Sequence, residues 1–150
     1  MNTGKALMKP IIEFNKTNIS FELKHKTKVR AWIEASVKEE GYNLDNLSYI
    51  FCDDKYLLKL NKDYLNHDTF TDIITFDYSE KKGIINGEIY ISIDRVKANA
   101  KEFKSTFINE LHRVMIHGIL HLCGYKDKSS KQKLEMRAKE DYYLSHLILG

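Results

Sequence analysis

The chain has 150 residues, of which 43% are hydrophobic and 30% are charged, and its formal net charge at pH 7 is +3. This composition is typical of a folded globular protein and argues against an intrinsically disordered chain. The sequence contains no run of about eighteen apolar residues, which excludes a membrane-spanning helix. The small positive charge permits an anionic partner such as a nucleic acid without requiring one.

Cysteine content and the N-terminal residues bear on the compartment. Cys52 and Cys123 are the two cysteines; they provide no disulfide framework and fit a reducing environment. Residues 1–10 lack the apolar core of a signal peptide. We therefore expect a cytoplasmic protein. Because there are no repeats, low-complexity tracts or flexible linkers, we also expect a single domain spanning residues 1–150.

Hydrophobic periodicity and turn residues predict interleaved strands and helices. In chain order, the pattern predicts strands over 11–14 and 19–21, a helix over 26–40, a strand over 47–52, a helix over 55–64, strands over 72–78 and 87–93, and helices over 95–104, 107–123 and 129–147. Gly41 is the expected stop of the first helix, and Asp53 and Asp94 are the expected N-caps of the second and third. This order of elements predicts an α+β fold whose C-terminal half is mostly helical.

The segment from His117 to Asp127 carries the most informative chemical pattern, H-G-I-L-H-L-C-G-Y-K-D. Four residues of helix advance about 400°, so His117 and His121 lie one turn apart on one helix face. Gly124 suits a left-handed helix stop, after which Asp127 can return toward the histidines. Two imidazoles and one carboxylate, with a fourth position left to water, are typical of a catalytic zinc site. The spacing therefore predicts one Zn²⁺ bound by His117, His121 and Asp127.

The alternative is that both histidines are structural and make ordinary hydrogen bonds. The helix around them is largely apolar, with Leu111 and Met115 near one face and Ile116 and Leu120 near another. Histidines on a largely buried helix need partners for their ring nitrogens, and one metal ion serves both rings at once. We therefore favour the metal site. Cys123 lies roughly opposite the histidine stripe and is not expected to be a ligand.

Residues around the first histidine bear on the chemistry. Arg113 and Glu110 precede His117 by four and seven residues on the same stripe. An arginine one turn from a metal can bind a phosphate through two nitrogens, so Arg113 is a candidate phosphate contact. A surface ion pair between Arg113 and Glu110 is the alternative. Zinc peptidases carry a glutamate general base directly after the first histidine, and Gly118 at this position argues against peptidase chemistry.

The same segment resembles the signature H-G-x-L-H-L-x-G-Y-D-H of the bacterial YbeY endoribonucleases, which are rRNA maturation factors. The matching positions are His117, Gly118, Leu120, His121, Leu122, Gly124 and Tyr125. The similarity extends to Leu60-Asn61, to Gly87-Glu88-Ile89 and to residues 71–76, where T-D-I-I-T-F is similar to the family's T-[DN]-V-L-S-F. It therefore covers about half of the chain, in matching order.

The resemblance implies a zincin-like α+β fold, with a small mixed β-sheet, about five helices and the metal site on a helix of the C-terminal half. It also implies one zinc ion per chain, cleavage of single-stranded RNA, and a role in 16S rRNA 3′-end maturation and late ribosome quality control. RNA, as 16S rRNA in ribosomal particles, is the partner that it implies.

This chain departs from the family pattern at two places. The family's third ligand is a histidine, and its position, counted without gaps, is Asp127, which can also bind zinc. A one-residue insertion would instead place Lys128 there, and an ammonium group cannot bind a metal. The family tends to carry an arginine after the tyrosine that corresponds to Tyr64. This chain has Leu65 at that position, so it lacks a phosphate contact that the resemblance leads us to expect.

Two other functions are compatible with the same residues. One is another zinc hydrolase such as a peptidase, against which Gly118 argues. The other is a zinc-binding ribosome-assembly factor without efficient catalysis, in which a fourth protein ligand would close the metal site.

Overall fold

The structure, a computed structural model, describes residues 9–149. Residues 1–8 lie outside this range. The expectation of no signal peptide, and the expectation of a domain that starts at residue 1, therefore fall partly on residues that the structure does not describe. The elements are β1 (Ile11–Lys16), α1 (Lys26–Glu39), β2 (Asn43–Cys52), α2 (Asp54–Leu65), β3 (Ile73–Asp77), β4 (Ile84–Ser92), α3 (Ile93–Glu102), α4 (Phe107–Leu122) and α5 (Ser130–Leu144). This arrangement confirms the predicted α+β class. No helix in the described range is long and apolar enough to cross a membrane.

The strands form one sheet in the order β1-β2-β4-β3. β2 pairs in parallel with β1 and with β4, while β3 pairs antiparallel with β4. The sheet is therefore mixed, as expected, and β3 is an edge strand. Parallel neighbours cannot be joined by a tight hairpin, and α1 makes the crossover between β1 and β2.

The two faces of the sheet are covered differently. Ile89 and Ile91 are fully buried on the face that packs against α1, α3, α4 and α5. Between them, Tyr90 points to the opposite face. There α2 packs on the sheet through a smaller cluster that includes Leu57, Ile74 and Phe76. Burial of one such isoleucine stabilises the fold by about 1.5–3 kcal/mol, so the strand register is strongly determined.

α4 is the central helix of the larger core. Its N-cap is Thr106, whose hydroxyl accepts a hydrogen bond from the Asn109 amide at 3.1 Å. The helix approaches the sheet closely at Gly118, where a Cβ would lie 3.0 Å from side-chain carbons of Ile73 and Ile89. A glycine here lets the helix backbone come close to β3 and β4. The neighbouring residue His117 is thereby placed beside the edge strand.

Gly87 on β4 is equally constrained, because a Cβ there would lie 2.4 Å from the backbone carbonyl oxygen of Phe76 on β3. Any larger residue must push the two strands apart. We expect Gly87→Ala to lower the free energy of unfolding by about 2–3 kcal/mol, measured by urea denaturation. Gly83→Ala is the control, since a Cβ there meets nothing within 4 Å and only the positive φ of +84° opposes it. Equal losses in the two variants would contradict this account of Gly87.

The predicted strand over residues 19–21 is wrong. These residues pair with no strand and form the irregular segment before α1. The ring of Phe21 instead packs edge-on against Phe51 and Phe107, with centroids 5.0 and 6.1 Å apart. The apolar pattern therefore reflects burial in the core rather than sheet pairing.

The start of α3 also differs from the expectation. The helix begins at Ile93, and its cap is Ser92, whose hydroxyl accepts from the Arg95 amide at 3.1 Å. The expected cap, Asp94, instead accepts from the backbone amide of Asp54 at 2.9 Å. The Asp94 carboxylate therefore makes a tertiary contact with the start of α2 and does not cap α3.

Candidate metal centre

The turn after α4 determines where Asp127 lies. Gly124 has a φ of +100°, and its N–H donates to the carbonyl of His121 at 2.9 Å. The N–H of Tyr125 donates to the carbonyl of Leu120 at 3.0 Å. These two bonds form a Schellman motif, which ends the helix and reverses the chain. The predicted helix stop at Gly124 is confirmed, and the reversal returns Asp127 to the histidines.

His117, His121 and Asp127 direct one ligand atom each toward a common point. The two Nε2 atoms are 2.9 Å apart. Oδ2 of Asp127 lies 3.3 Å from Nε2 of His117 and 3.4 Å from that of His121. Ligand atoms at about 2.0–2.1 Å from a tetrahedral zinc ion lie roughly 3.3 Å from one another. The spacing therefore fits a single metal ion. Among the described residues, these three form a group that could hold a metal ion.

Hydrogen bonds at Nδ1 orient both imidazole rings. Nδ1 of His117 lies 2.6 Å from Oε2 of Glu140, and Nδ1 of His121 lies 3.0 Å from the carbonyl oxygen of Tyr125. Because both partners are acceptors, each Nδ1 carries a proton and each Nε2 presents a lone pair to the other ring. Two lone pairs and a carboxylate at this distance repel one another unless a cation lies between them. Such partners are typical of metal-binding histidines.

The electrostatics of the centre favour positive charge. Burial alone would lower the pKa of His117, but the hydrogen bond with Glu140 and the charge of Asp127 raise the pKa above its usual value. Either a proton or a metal ion at the ligand atoms would supply the positive charge that these surroundings favour. The donor set of two nitrogens and one oxygen is one that zinc accepts.

Glu140, on α5, joins the candidate ligands to Arg113. It is 5% exposed, and its Oε1 accepts a hydrogen bond from Nη1 of Arg113 at 2.8 Å. Nη2 of Arg113 donates to Oδ1 of Asp141 at 2.6 Å. The ion pair that sequence alone suggested for Arg113, with Glu110, is thus replaced by pairs with two residues of another helix. The predicted phosphate contact by Arg113 stays a prediction.

The candidate ligands lie in the wall of a cavity of about 340 Å³. The rest of its lining is Leu65, at the end of α2, and residues 71–75, which lead into and form most of β3. The first part of β3 and the two residues before it therefore border the candidate metal cleft. Arg113 does not line the cavity, whereas Leu65 does, at the position where the family tends to carry arginine.

The position of a peptidase general base has no side chain and is tightly packed. Gly118 faces the side chains of Ile73 and Ile89, and a Cβ at this position would already be in tight contact with both. Two carboxylates line the cavity, those of Asp127 and Asp72. Burial raises the pKa of Asp72, although the charge of His117 opposes this; its carboxylate accepts a hydrogen bond from the Asn99 amide at 3.3 Å.

Sequence reasoning missed Glu140 and the carbonyl of Tyr125 as the groups that orient the histidines. The signal for Glu140 lies on α5, where Met136, Glu140 and Tyr143 recur at i, i+4 and i+7 and are all buried. An acidic residue within an otherwise apolar stripe needs a buried partner. Tyr125 is itself held, because its hydroxyl donates to Oε1 of Glu40 at 2.7 Å.

His112 and Cys123 lie outside the group, as expected. His112 is buried with its ring centroid 6.0 Å from that of Trp32, and burial lowers its pKa to about 4. Cys123 is the buried C-cap of α4, and burial raises the pKa of its thiol to about 12. Neither side chain contributes to the convergent ligand set.

The fold and the site together define a class: an α+β protein in which a buried helix presents two oriented histidines, and the segment after that helix presents an aspartate, to a cavity beside an edge strand. Comparison with known proteins identifies the family. The family model described as Endoribonuclease YbeY matches residues 11–148.

Individual relatives support the same assignment. An Endoribonuclease YbeY of Cytophaga hutchinsonii is 54% identical over 134 residues, covering 89% of this chain and 94% of that protein. One of Flavobacterium psychrophilum is 53% identical over 131 residues, covering 87% and 92%. The solution structure of TM1509 from Thermotoga maritima matches with a TM-score of 0.64 and 31% identity, covering 91% of this chain and 89% of that one. The chain belongs to the YbeY endoribonuclease family, whose substrate is RNA.

Proposed function

We propose that this protein is a zinc-dependent, single-strand-specific endoribonuclease that acts in 16S rRNA 3′-end maturation and late ribosome quality control. The observation that carries the proposal is the convergence of His117 Nε2, His121 Nε2 and Asp127 Oδ2 at distances of 2.9 to 3.4 Å in the wall of the cavity. Family membership supports RNA as the substrate. We further propose that residues 1–150 act as one domain in the cytoplasm.

His117, His121 and Asp127 would hold the zinc ion. Zinc bound by three protein ligands supplies an electrophilic centre that activates water and stabilises negative charge on a phosphoryl oxygen. The chain itself fixes the direction of the ligands. Glu140 and the carbonyl of Tyr125 hold Nδ1 of the two histidines, so both Nε2 atoms point into the site without rearrangement. The fourth position would face the cavity and the substrate.

The free edge of β3 offers hydrogen-bond donors to the substrate. Tyr78 N–H donates to Asn86, and Ser92 N–H donates to Asp72, so the even-numbered residues of the strand bond to β4. In an antiparallel pair the intervening residues direct their backbone groups away from the partner strand. The amides of Ile73 and Thr75 therefore point toward the free edge, in a stretch that lines the cavity. We propose that they donate to phosphate oxygens of an extended RNA strand.

This arrangement favours a single strand over a duplex. The candidate zinc ligands lie between α4 and an edge strand, and a flexible strand can follow such an edge, whereas a stiff duplex cannot enter the cleft. Leu65 in the lining provides no cation, so the backbone amides carry more of the phosphate binding. We propose that Arg113, which two carboxylates hold in place, acts chiefly by positioning Glu140; direct contact with phosphate is the alternative.

The proposed function is tested by RNA cleavage with the purified zinc-loaded protein. A single-stranded RNA that carries the 3′ end of precursor 16S rRNA is expected to be cut, and the same sequence annealed to its complement is expected to resist. Chelation should stop cleavage and added zinc should restore it. Because trace ribonuclease could mimic weak activity, the His117→Ala variant is purified and assayed alongside. Cleavage that survives chelation would contradict the proposal.

Thr75→Pro tests the role of the β3 edge. Proline removes the amide hydrogen that points to the free edge and leaves the ladder with β4 intact, a position that strands tolerate. Since a hydrogen bond to a charged group contributes about 1.5–3 kcal/mol, we expect RNA affinity to fall roughly tenfold or more. Thr75→Ser keeps the amide and is the control. Equal RNA affinities in the two variants, with zinc content unchanged in both, would refute the proposed contact.

A further inference from the structure

Three neighbouring aromatic rings lie at the end of α2 and along β3; two are exposed and the third, Phe76, is partly buried. Tyr64 at the end of α2 is 68% exposed and Tyr78 after β3 is 53% exposed. Between them, the ring of Phe76 meets Tyr64 edge-on at 5.9 Å and Tyr78 in a parallel arrangement at 6.4 Å. We call these three rings the aromatic step. Exposed apolar groups that cluster in this way commonly mark an interaction surface.

The aromatic step is continuous with the cavity along the chain. Leu65 directly follows Tyr64, and Thr75 directly precedes Phe76; both Leu65 and Thr75 line the cavity that holds the candidate zinc ligands. The cavity lining also includes Ile74, which lies on the same α2-covered side of the sheet as Phe76. A strand of RNA that leaves the cavity around the free edge of β3 toward α2 would therefore reach these rings.

Two of the rings, those of Phe76 and Tyr78, are held in place before any ligand binds. Phe76 packs edge-on against Tyr90 at 5.7 Å, within the smaller hydrophobic cluster. The hydroxyl of Tyr78 donates to Oε1 of Glu88 at 2.9 Å, which fixes the direction of its ring. A ligand that stacks on such rings loses little free energy to ordering them.

The chemistry of the aromatic step selects bases rather than phosphates. Its neighbouring carboxylate, Glu88, would repel a phosphate group. Stacking on an aromatic face needs no charge, tolerates any base, and is a common way for proteins to bind single-stranded nucleic acid. We propose that Tyr64, Phe76 and Tyr78 stack the unpaired bases of the RNA segment that leaves the cavity along β3. This inference rests on the proposed function and names the substrate feature that the site recognises.

The test measures binding of a fluorescein-labelled single-stranded RNA by anisotropy, with and without abasic nucleotides, to the chelator-treated protein, in which cleavage is expected to be stopped. Since stacking contributes about 1–3 kcal/mol per base, we expect Tyr64→Ala and Tyr78→Ala each to weaken binding about fivefold or more. Tyr64→Phe should bind as the unmodified protein does. Phe103→Ala is the matched control, because Phe103 is also 61% exposed but lies outside the cavity lining.

The abasic RNA makes the assignment specific. It should bind the unmodified protein more weakly than the intact RNA does, and this difference should disappear in the Tyr64→Ala/Tyr78→Ala double variant. In cleavage assays the double variant should show a higher KM with kcat and zinc content unchanged. An abasic penalty of equal size in both proteins, or an equal loss of affinity in Phe103→Ala, would overturn the inference. Because binding is read without cleavage, base stacking by a protein that cuts no RNA would refute the proposed function alone.

Discussion

His117→Ala is expected to remove the bound zinc and RNA cleavage together. The substitution leaves two candidate ligands of three, and it also leaves Glu140 without the imidazole that its Oε2 contacts at 2.6 Å. Loss of a group in the shell outside the ligands typically lowers metal affinity 10–100-fold, so loss of a ligand should exceed about 100-fold. Zinc content after dialysis and cleavage of single-stranded RNA, measured on the same preparation, would check this result.

Companion variants make the loss of zinc specific. Asp127→Ala should weaken zinc retention and His121→Ala should abolish it. Cys123→Ser should leave it intact, because Cys123 is the buried C-cap residue of α4 and lies outside the ligand group. Circular dichroism of each variant shows whether the fold persists. RNA cleavage by His117→Ala at the rate of the unmodified protein would mean that the activity belongs to another site or to a contaminant.

Glu140→Ala is expected to have the second-largest effect, on stability as well as on zinc. The substitution leaves the partly buried guanidinium of Arg113, whose side chain is 19% exposed, with the exposed Asp141 as its remaining carboxylate partner. Breaking a buried ion pair by removing one member typically costs about 3–5 kcal/mol. It also removes the acceptor that orients His117, which should lower zinc affinity about 10–100-fold. Urea denaturation and competition with a zinc indicator measure the two effects separately.

Glu140→Gln and Glu135→Ala are the matched variants for this prediction. Glutamine keeps an acceptor for His117 and should retain more zinc affinity than alanine. Glu135 is an exposed residue of the same helix, and its loss should change stability by less than about 0.5 kcal/mol. A Glu140→Ala protein as stable and as zinc-avid as Glu135→Ala would refute the bridging role.

Arg113→Ala separates the two roles considered for this residue. If Arg113 acts through Glu140, its loss lowers zinc affinity and stability along with activity. If its guanidinium contacts phosphate, cleavage slows while zinc content stays unchanged.

The parts of the site that follow from local geometry were predictable from sequence. The i, i+4 spacing of His117 and His121 places them on one face of any helix, and Gly124 determines a chain reversal through its own backbone. The groups that complete the site were not predictable in this way. Glu140 reaches His117 across 23 residues of chain, and this contact depends on how α5 packs against α4. Which β3 amides face the cavity depends equally on the register with β4, a tertiary property.

Family resemblance supplied what physical reasoning from the residues could not. The spacing of His117, His121 and Asp127 predicts a metal ion but does not distinguish RNA from other substrates. Gly118 argued against a peptidase by lacking a side chain, and the structure adds that a Cβ here would be in tight contact with Ile73 and Ile89.

X-ray absorption at the zinc edge of the purified protein would identify the atoms bound to the metal. We expect about one zinc ion per chain with two imidazole nitrogens at about 2.0–2.1 Å and light oxygen ligands completing the shell. The oxygen contribution should fall in Asp127→Ala, and the imidazole contribution should disappear in His117→Ala and His121→Ala along with the metal. A sulfur ligand at about 2.3 Å, or a shell of four protein ligands with no exchangeable position, would contradict an open His117–His121–Asp127 centre.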